Sequence, residues 1–301
     1  MKQRLKMIEE FLNYLQYELN RSPLTISGYS EDLRAFEAYF KNLDGQLSWE
    51  SVDSDNIRGW MESMMDKGNN AATVNRRLSA LRSLYRFALA RHLVDTDPAR
   101  CIEGPRQAKP LPQFLKENEM DRLLDEGAWG AEYKDVRART IILTFYTTGI
   151  RLAELVGLND TALDFVNHQL KVTGKGNKQR IIPFGEELEN CLREFISLRN
   201  REVARVDEEA LFLSEKGVRM KAAQVRAEVR MHLAQVSTLL TLSPHLHRHT
   251  FATAMLNHGA GIESVRRLLG HESVSTTEIY THTTFEQLKR VYHDAHPRAG
   301  V

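Results

Sequence analysis

The 301-residue sequence has little of several features that would direct it to particular functions. It contains only two cysteines, Cys101 and Cys191, ninety residues apart. They have no metal-binding or redox spacing, which is typical of a protein in a reducing cytosol. The longest mainly apolar run, TIILTFYTTGI at 140–150, is too short and too rich in hydroxyl groups to span a bilayer. The first residues, MKQRLKMIEE, predict a charged helix rather than a signal peptide. We therefore expect a cytoplasmic protein without a membrane segment.

Proline is also scarce, and its distribution indicates how the chain is divided. Four of the eight prolines fall in residues 95–114, DTDPARCIEGPRQAKPLPQF, which show no apolar periodicity. This composition predicts a linker between two domains. We place a first domain at 1–98, the linker at 99–114 and a second domain at 115–301.

The first domain reads as all helical. Apolar residues recur at helical spacing in its first segment, and serine, proline and aspartate give start signals for those that follow. The predicted helices are residues 2–20, residues 23–42 after the Ser22 cap, a third opened by Asp53 or Ser54 and ending near Lys67, and a fourth that begins at Thr73.

Charge is balanced overall but unevenly distributed. The formal net charge is +1, yet residues 1–66 carry seven basic against twelve acidic side chains. Residues 74–92, VNRRLSALRSLYRFALARH, carry five arginines and no acid. A basic helix in a neutral protein favours binding of a polyanion, and a plain solvated helix face is the alternative.

The second domain shows a mixed pattern without internal repeats or βαβ alternation. In residues 168–184, HQLKVTGKGNKQRIIPF, two β-favouring runs flank a glycine-rich turn and predict a hairpin. GKGNK lacks the spacing of a phosphate-binding P-loop. The fold class is therefore mainly α with a small β-sheet or hairpin, and the predicted helices are residues 117–126, 135–148, 151–158, 186–203, 222–238 and 244–258.

Several chemically suggestive residues have ordinary interpretations when taken singly. His245 and His249 in HLHRH are one helical turn apart, but no accompanying glutamate or further ligand completes a zinc site, so we expect no metal. Lys175 suits a solvated turn, and Tyr280 suits a core tyrosine.

Their combination and order carry more information. TGIRLAEL, VTGKGNKQR, HLHRH, LLGH and STTEIYTH follow one another along the second domain. Together these motifs resemble the tyrosine recombinase (phage integrase-like) family. The N-terminal helices, the linker and the closing HPRAG make the chain most similar to the Xer site-specific recombinases. The residue before the second arginine, commonly apolar in that family, is His247 here.

The resemblance implies a DNA strand-breaking and rejoining enzyme with six catalytic residues and one supporting acid, Glu154. In the implied mechanism a tyrosine attacks a phosphodiester and forms a 3′-phosphotyrosyl link. Arginines stabilise the transition state, a lysine protonates the leaving 5′-oxygen, and no cofactor is required. The implied catalytic residues are Arg151, Lys175, His245, Arg248, His271 and the nucleophile Tyr280.

The resemblance also implies partners. Double-stranded DNA would lie in a C-shaped clamp of a helical core-binding domain and a mixed α/β catalytic domain. Arg76, Arg77 and Arg82 on the basic helix would contact its phosphates. Active complexes would be tetramers, either of this chain alone or mixed with a related recombinase, and a septal DNA translocase is a candidate activator. The biological role would be resolution of chromosome dimers.

The C-terminus adds one further expectation. Thr284 and Gln287 have capping-box spacing, so a helix is predicted to begin at Thr284. Phe285, Leu288 and Tyr292 then form part of an apolar stripe. The stripe packs either on its own domain or, as the resemblance favours, on a neighbouring subunit.

Other functions remain open at this point. A phage or mobile-element integrase would share the chemistry, and so would a type IB topoisomerase. A non-catalytic DNA-binding regulator would not need Tyr280, whereas a metal-dependent nuclease would use the histidines and be inhibited by chelation.

Overall fold

The computed structural model describes residues 2–45, 48–107, 113–237, 239, 244–270 and 282–299. The chain divides into two compact units, residues 1–110 and 111–301. Within the described ranges, no helix is both long and apolar enough to cross a membrane.

The first unit consists of helices, as predicted. A single helix was expected over residues 2–20, but the α-helix ends at Asn13, seven residues earlier, and a π-helical turn, Tyr14–Glu18, follows it. The α-helices are α1 Lys2–Asn13, α2 Pro23–Leu43, α3 Ser54–Asp66 and α4 Ala71–Ala90.

Side-chain caps determine where these helices begin. The Ser22 hydroxyl accepts the Thr25 backbone N–H at 3.3 Å, which confirms the predicted start of α2. The prediction that Thr73 opens the fourth helix is wrong by two residues. Asn70 is the cap, and its side-chain oxygen accepts the backbone N–H of Thr73 at 2.8 Å.

Aromatic side chains form the centre of the first core. Phe36 is fully buried, and its ring centroid lies 4.8 Å from that of Trp60 and 5.4 Å from that of Phe40. Burial of each such ring stabilises the fold by about 2–3 kcal/mol before entropy is counted. The four helices are therefore one packed domain rather than separate amphipathic segments.

The second unit is mainly helical around a small antiparallel sheet, which confirms the predicted fold class. Among its described strands and α-helices, the two-residue strand β1 and the helix α11 were not predicted. The strands are β1 Leu163–Asp164, β2 Gln169–Thr173 and β3 Gln179–Pro183. The helices are α5 Glu117–Leu124, α6 Tyr133–Thr148, α7 Leu152–Val156, α8 Glu186–Glu202, α9 Ala222–Val236, α10 Pro244–Asn257, α11 Ile262–Leu269 and α12 His282–Ala295.

The sheet has the order β1-β2-β3. The predicted hairpin is confirmed, because β2 and β3 pair antiparallel with Leu170 opposite Ile182. Both of these side chains are buried, so one face of the sheet joins the core.

Helix α6 forms the middle of this core and packs against α8, α9 and α10. It contains the run of apolar and hydroxyl residues noted in the sequence. The Thr140 and Thr144 hydroxyls each donate to the backbone carbonyl four residues earlier, at 2.7 Å. Because these hydroxyls are satisfied inside the helix, α6 can be buried on nearly every side.

The C-terminal helix corrects one expectation and bears on a second. Helix α12 begins at His282, two residues before the predicted Thr284. Leu288 and Tyr292 are 4% and 0% exposed and belong to a core cluster with Phe251 and Leu268 of the same chain. Within this single chain, these two residues of the stripe are thus covered by their own domain. Packing of the C-terminal segment on a neighbouring subunit stays a prediction.

Candidate active site

The TGIR segment brings three helices close together. Helix α6 ends at Gly149, whose φ of +59° favours glycine. A Cβ at this position would lie 2.7 Å from the Phe251 ring and 2.8 Å from the Leu269 side chain. Glycine is therefore required both by the backbone conformation and by the packing of α10 and α11 against this turn. Arg151, two residues later, occupies the N-cap position of α7.

Glu154 lies at the centre of the polar groups that follow. Its carboxylate accepts the Arg151 backbone N–H at 2.7 Å and Arg151 Nη1 at 3.0 Å. It also accepts Arg180 Nη1 and Nη2 at 2.7 and 2.9 Å. Burial alone would raise the pKa of the Glu154 carboxyl, but hydrogen bonds and charge from Arg180 and Arg151 lower it below its ordinary value. The carboxylate is thus held ionised between two guanidinium groups.

Arg248 projects from α10 to the same place. Its Nη1 donates to the Gly149 carbonyl at 2.7 Å and its Nη2 to the Leu269 carbonyl at 2.6 Å. The side chain is 8% exposed. Burial, with the charges of Arg151 and Arg180, lowers the pKa of Arg248 to about 10, so it stays protonated at neutral pH.

All three arginines bind the carboxyl end of α11. Arg180 Nε donates to the Leu268 carbonyl at 3.0 Å, Arg248 binds the next carbonyl, and Arg151 Nη2 reaches the Gly270 carbonyl at 3.3 Å. Carbonyls at a helix end lack intrahelical partners and attract cations. Three guanidinium groups against the single carboxylate of Glu154 leave an excess of two positive charges among these four side chains.

The hairpin turn carries the remaining predicted cation. Lys175 begins a 3-10 turn, Lys175–Asn177, closed by a 2.8 Å hydrogen bond from the Gly174 N–H to the Lys178 carbonyl. Gly176 and Asn177 have φ of +71° and +59°, which makes the turn tight. The backbone of Lys175 is described, but its side chain is not.

Three other predicted residues lie wholly or partly outside the described part of the chain. His245 lies in the first turn of α10, and its side chain is outside the described part of the chain. His271 and Tyr280 fall within 271–281, outside the described residues. His271 directly follows Gly270, the residue that ends α11 with φ of +65°.

His247, the departure from the usual pattern, occupies an apolar position. It is 0% exposed and stacks on Phe145 with ring centroids 5.9 Å apart. Neither ring nitrogen has a hydrogen-bond partner among the described residues. Burial lowers the pKa of His247 to about 4, so a neutral imidazole replaces an aliphatic side chain here.

The three arginines predicted to bind DNA make contacts within the first unit. Arg76 pairs with the buried Asp32, and Arg77 Nε lies 3.5 Å from the same carboxylate. Burial raises the pKa of Asp32 despite these two cations. Arg82 donates to the carbonyls of Ala99, at 3.2 Å, and Ile102.

These contacts bear on the DNA-binding prediction. Arg82 holds the segment after α4 against that helix, a structural role the sequence did not reveal. Arg76 keeps half of its surface exposed beside its partner. Arg86, which was not singled out, is exposed on α4. DNA binding by the three chosen residues stays a prediction.

Arg180 is the site residue that sequence reasoning did not identify. It lies on β3 two residues before the buried Ile182 and is itself 7% exposed. An arginine on the apolar face of a strand requires buried partners, and that position was the available signal. Across the described ranges, no group of three potential ligands is placed to hold a metal ion.

Two family descriptions match this chain. Residues 8–92 match the phage integrase N-terminal SAM-like domain, and residues 113–287 match the phage integrase family. The second match covers more than half of the sequence and includes every catalytic position implied by the motifs.

Curated relatives match over almost the full length. Tyrosine recombinase XerC of Alcanivorax borkumensis is 35% identical over 98% of this chain and 95% of its own. Tyrosine recombinase XerD of Oceanobacillus iheyensis is 33% identical over 97% of this chain and 98% of its own.

Solved structures support the fold. The XerH site-specific recombinase in a post-cleavage complex with palindromic difH has a TM-score of 0.71 at 22% identity, covering 95% of this chain and 83% of that one. The Tn1549 transposon integrase with circular intermediate DNA has a TM-score of 0.71 at 20% identity, covering 95% and 99%. The chain thus belongs to the phage integrase family, as a tyrosine recombinase of the Xer type.

Proposed function

We propose that this recombinase breaks and rejoins DNA at a specific site, with Tyr280 as nucleophile and Arg151, Lys175, His245, Arg248 and His271 as its catalytic partners. The observation that carries the proposal is the convergence of Arg151 and Arg248 on adjacent carbonyls, those of Gly270 and Leu269. With Arg180 they leave an excess of positive charge that a phosphodiester would neutralise.

The arginines fit the charge that develops in phosphoryl transfer. A five-coordinate phosphorus gathers negative charge on its non-bridging oxygens, and planar guanidinium groups bind such oxygens in pairs. Arg151 is 38% exposed at the side chain, so it can reach substrate, whereas Arg248 is fixed by two carbonyls. Donors held in place before the reaction stabilise the transition state without reorganisation.

Proton transfers fall to the remaining residues. A free tyrosine phenol has a pKa of about 10 and is about one part in a thousand ionised at pH 7, so a tyrosine nucleophile such as Tyr280 needs a base. His245 and His271 can accept its proton or donate to the phosphate. Lys175, carried on the tight turn, would protonate the departing 5′-oxygen. The bond energy stays in the phosphotyrosine, so the proposed reaction needs no ATP. Cationic side chains of the protein take the place of a metal ion, so no metal cofactor is proposed.

The proposed partners are those that the resemblance to the Xer recombinases implies. The similarity to XerC and XerD over nearly the whole chain supports resolution of chromosome dimers in the cytoplasm. The proposed complex is a clamp of both domains on double-stranded DNA. It assembles as a tetramer, homomeric or mixed with a related recombinase, with a septal DNA translocase as activator.

A mobile-element integrase is the second candidate, favoured by the similarity of the fold to the Tn1549 transposon integrase. The Xer role is preferred because relatives of that kind are 33% and 35% identical across nearly all of both chains. Mapping the genomic sites that the protein binds, then testing them for recombination with this protein alone, distinguishes the two.

The experiment for the chemistry uses a nicked suicide substrate, which traps the covalent intermediate. Wild-type protein should form an adduct that survives EDTA, and Tyr280→Phe should bind the same DNA and form none. An adduct in the variant would place the nucleophile elsewhere. A protein that binds DNA without any adduct would be a regulator, and adduct loss on chelation would indicate a metal-dependent enzyme.

A further inference from the structure

Arg180 is buried in the candidate active site, and all three of its guanidinium nitrogens are hydrogen-bonded there. Its fork holds both oxygens of Glu154 at 2.7 and 2.9 Å, and its Nε binds the Leu268 carbonyl at 3.0 Å. A buried guanidinium must have such partners. These partners, however, belong to α7 and α11, the two elements next to Arg151 and His271.

The Arg180–Glu154 pair also accounts for two motif glycines. A Cβ at Gly174, just before Lys175, would lie 3.1 Å from Glu154 Oε1. A Cβ at Gly270, just before His271, would lie 3.0 Å from the Arg180 Cδ atom. Any larger residue at either position would push against the pair. Two segments that lead into proposed catalytic residues therefore rest directly on it.

Glu154 links Arg180 to Arg151, because both arginines bind its carboxylate. Its Oε1 is shared by Nη1 of both arginines, and its Oε2 is shared by the Arg151 backbone N–H and Arg180 Nη2. Without Arg180, the buried carboxylate would lose two of its four hydrogen bonds. It would then be free to rotate away from Arg151.

We propose that Arg180 is a positioning residue for strand cleavage, which holds Glu154 so that Arg151 meets the scissile phosphate and fixes the end of α11 from which His271 follows. The proposal rests on the catalytic roles proposed above. It assigns Arg180 no contact with DNA, since it is 7% exposed and its fork and Nε are all engaged within the protein.

A purely structural ion pair is the alternative, and the chain contains a matched example. Arg199 is 0% exposed and holds Asp160 with two hydrogen bonds of 2.7 and 2.9 Å. It also donates to the Leu211 carbonyl at 2.8 Å. Arg199 is thus buried like Arg180 and binds a carboxylate with the same two distances, although Asp160 is 34% exposed and Glu154 only 3%. None of its partners is a proposed catalytic residue or adjoins one.

The test compares Arg180→Gln, Arg180→Lys and the control Arg199→Gln in single-turnover cleavage of a nicked suicide substrate at saturating protein. Each is measured with an ordinary scissile phosphodiester and with a methylphosphonate, which has no charged non-bridging oxygen for Arg151 to bind. Misplacement of a catalytic group by about 1 Å costs on the order of 10²-fold in rate.

For Arg180→Gln we expect adduct formation about 10²-fold slower on the phosphodiester, with DNA affinity within about twofold of wild type. On the methylphosphonate the defect should shrink to about tenfold or less, because the misplaced arginine has less charge to stabilise. Arg180→Lys keeps the charge but not the fork, so it should show the same pattern with a smaller defect. Arg199→Gln should lower thermal stability without a substrate-dependent rate defect.

Equal defects of Arg180→Gln on both substrates would overturn the proposal, as would a wild-type rate for either Arg180 variant or the same selective pattern in Arg199→Gln. Where Arg180→Gln does not fold, the lysine variant decides by the same criteria. Absence of any adduct with the wild-type protein would instead refute the proposed function, so the two failures are distinguishable.

Discussion

Replacing His247 by leucine should make the second unit more resistant to acid. The imidazole is fully buried, unpartnered among the described residues, and has a pKa lowered to about 4 from an ordinary value near 6.5. Between these values the unfolded chain binds a proton that the folded chain does not. Stability contributed by the neutral form is therefore complete above about pH 6.5 and is lost as the pH falls toward 4.

The size of the effect follows from the two pKa values. At pH 5 the wild-type protein should have lost about 2 kcal/mol of unfolding free energy through this one group, relative to pH 8. Leucine has no proton to bind. At pH 8 the His247→Leu substitution should raise the free energy of unfolding by about 1 kcal/mol. Removal of two unsatisfied nitrogens stabilises the fold, and loss of the stacking on Phe145 offsets part of that gain.

The assay is urea denaturation monitored by pulsed hydrogen exchange in peptides of α6. It measures the unfolding of the second unit separately from that of the first. His249→Leu is the control, since His249 is exposed on the same helix. The stability difference between His247→Leu and wild type should grow by about 2 kcal/mol from pH 8 to pH 5. A difference that does not change with pH would refute the buried, neutral state of His247.

Two further predictions concern the hairpin and the C-terminal helix. Lys175→Ala should cleave ordinary DNA about 10²–10⁴-fold more slowly, and a 5′-phosphorothiolate, whose sulfur leaves without a proton, should restore much of the rate; equal defects on both substrates would reassign Lys175 to binding. Leu288→Ala should lower the free energy of unfolding of the second unit by about 2–5 kcal/mol in the isolated chain, measured by the same denaturation assay. An unchanged free energy of unfolding would mean that α12 does not pack in cis. The control is Leu256→Ala, which should change the free energy of unfolding little because Leu256 is exposed.

Local sequence signals predicted a helix start or the hairpin correctly where the sequence allows only one solution. Ser22 before Pro23 allows one helix start, and alternating residues around a glycine turn allow one register. The start of α4 was misplaced because Asn70 and Thr73 are both good caps, and only the folded turn shows which side chain accepts the N–H. Strand β1 was missed because two residues are too few to show a period.

In the candidate site, too, local motifs predicted some residues, whereas contacts between residues distant in sequence were missed. Motif order located Arg151, Glu154 and Arg248, which the structure brings to one helix end. The pairing of Glu154 with Arg180 spans 26 residues of sequence, so no local pattern reveals it. The same holds for Arg82, whose acceptors at Ala99 and Ile102 become neighbours only after the chain turns back along α4.

The arrangement of these charges links the fold of the second unit to its chemistry. Helix α11 ends on three carbonyls, each bound by an arginine from a different element, and Gly149 and Gly270 allow the backbone to approach this point. Glu154 offsets only one of the three positive charges. A site built in this way is electrostatically incomplete without an anion, because burial and the repulsion from two cationic neighbours already lower the pKa of Arg248. Binding of a phosphate group would relieve that repulsion, and the further charge that develops in the transition state would be stabilised more strongly than the ground state, which is the condition for catalysis.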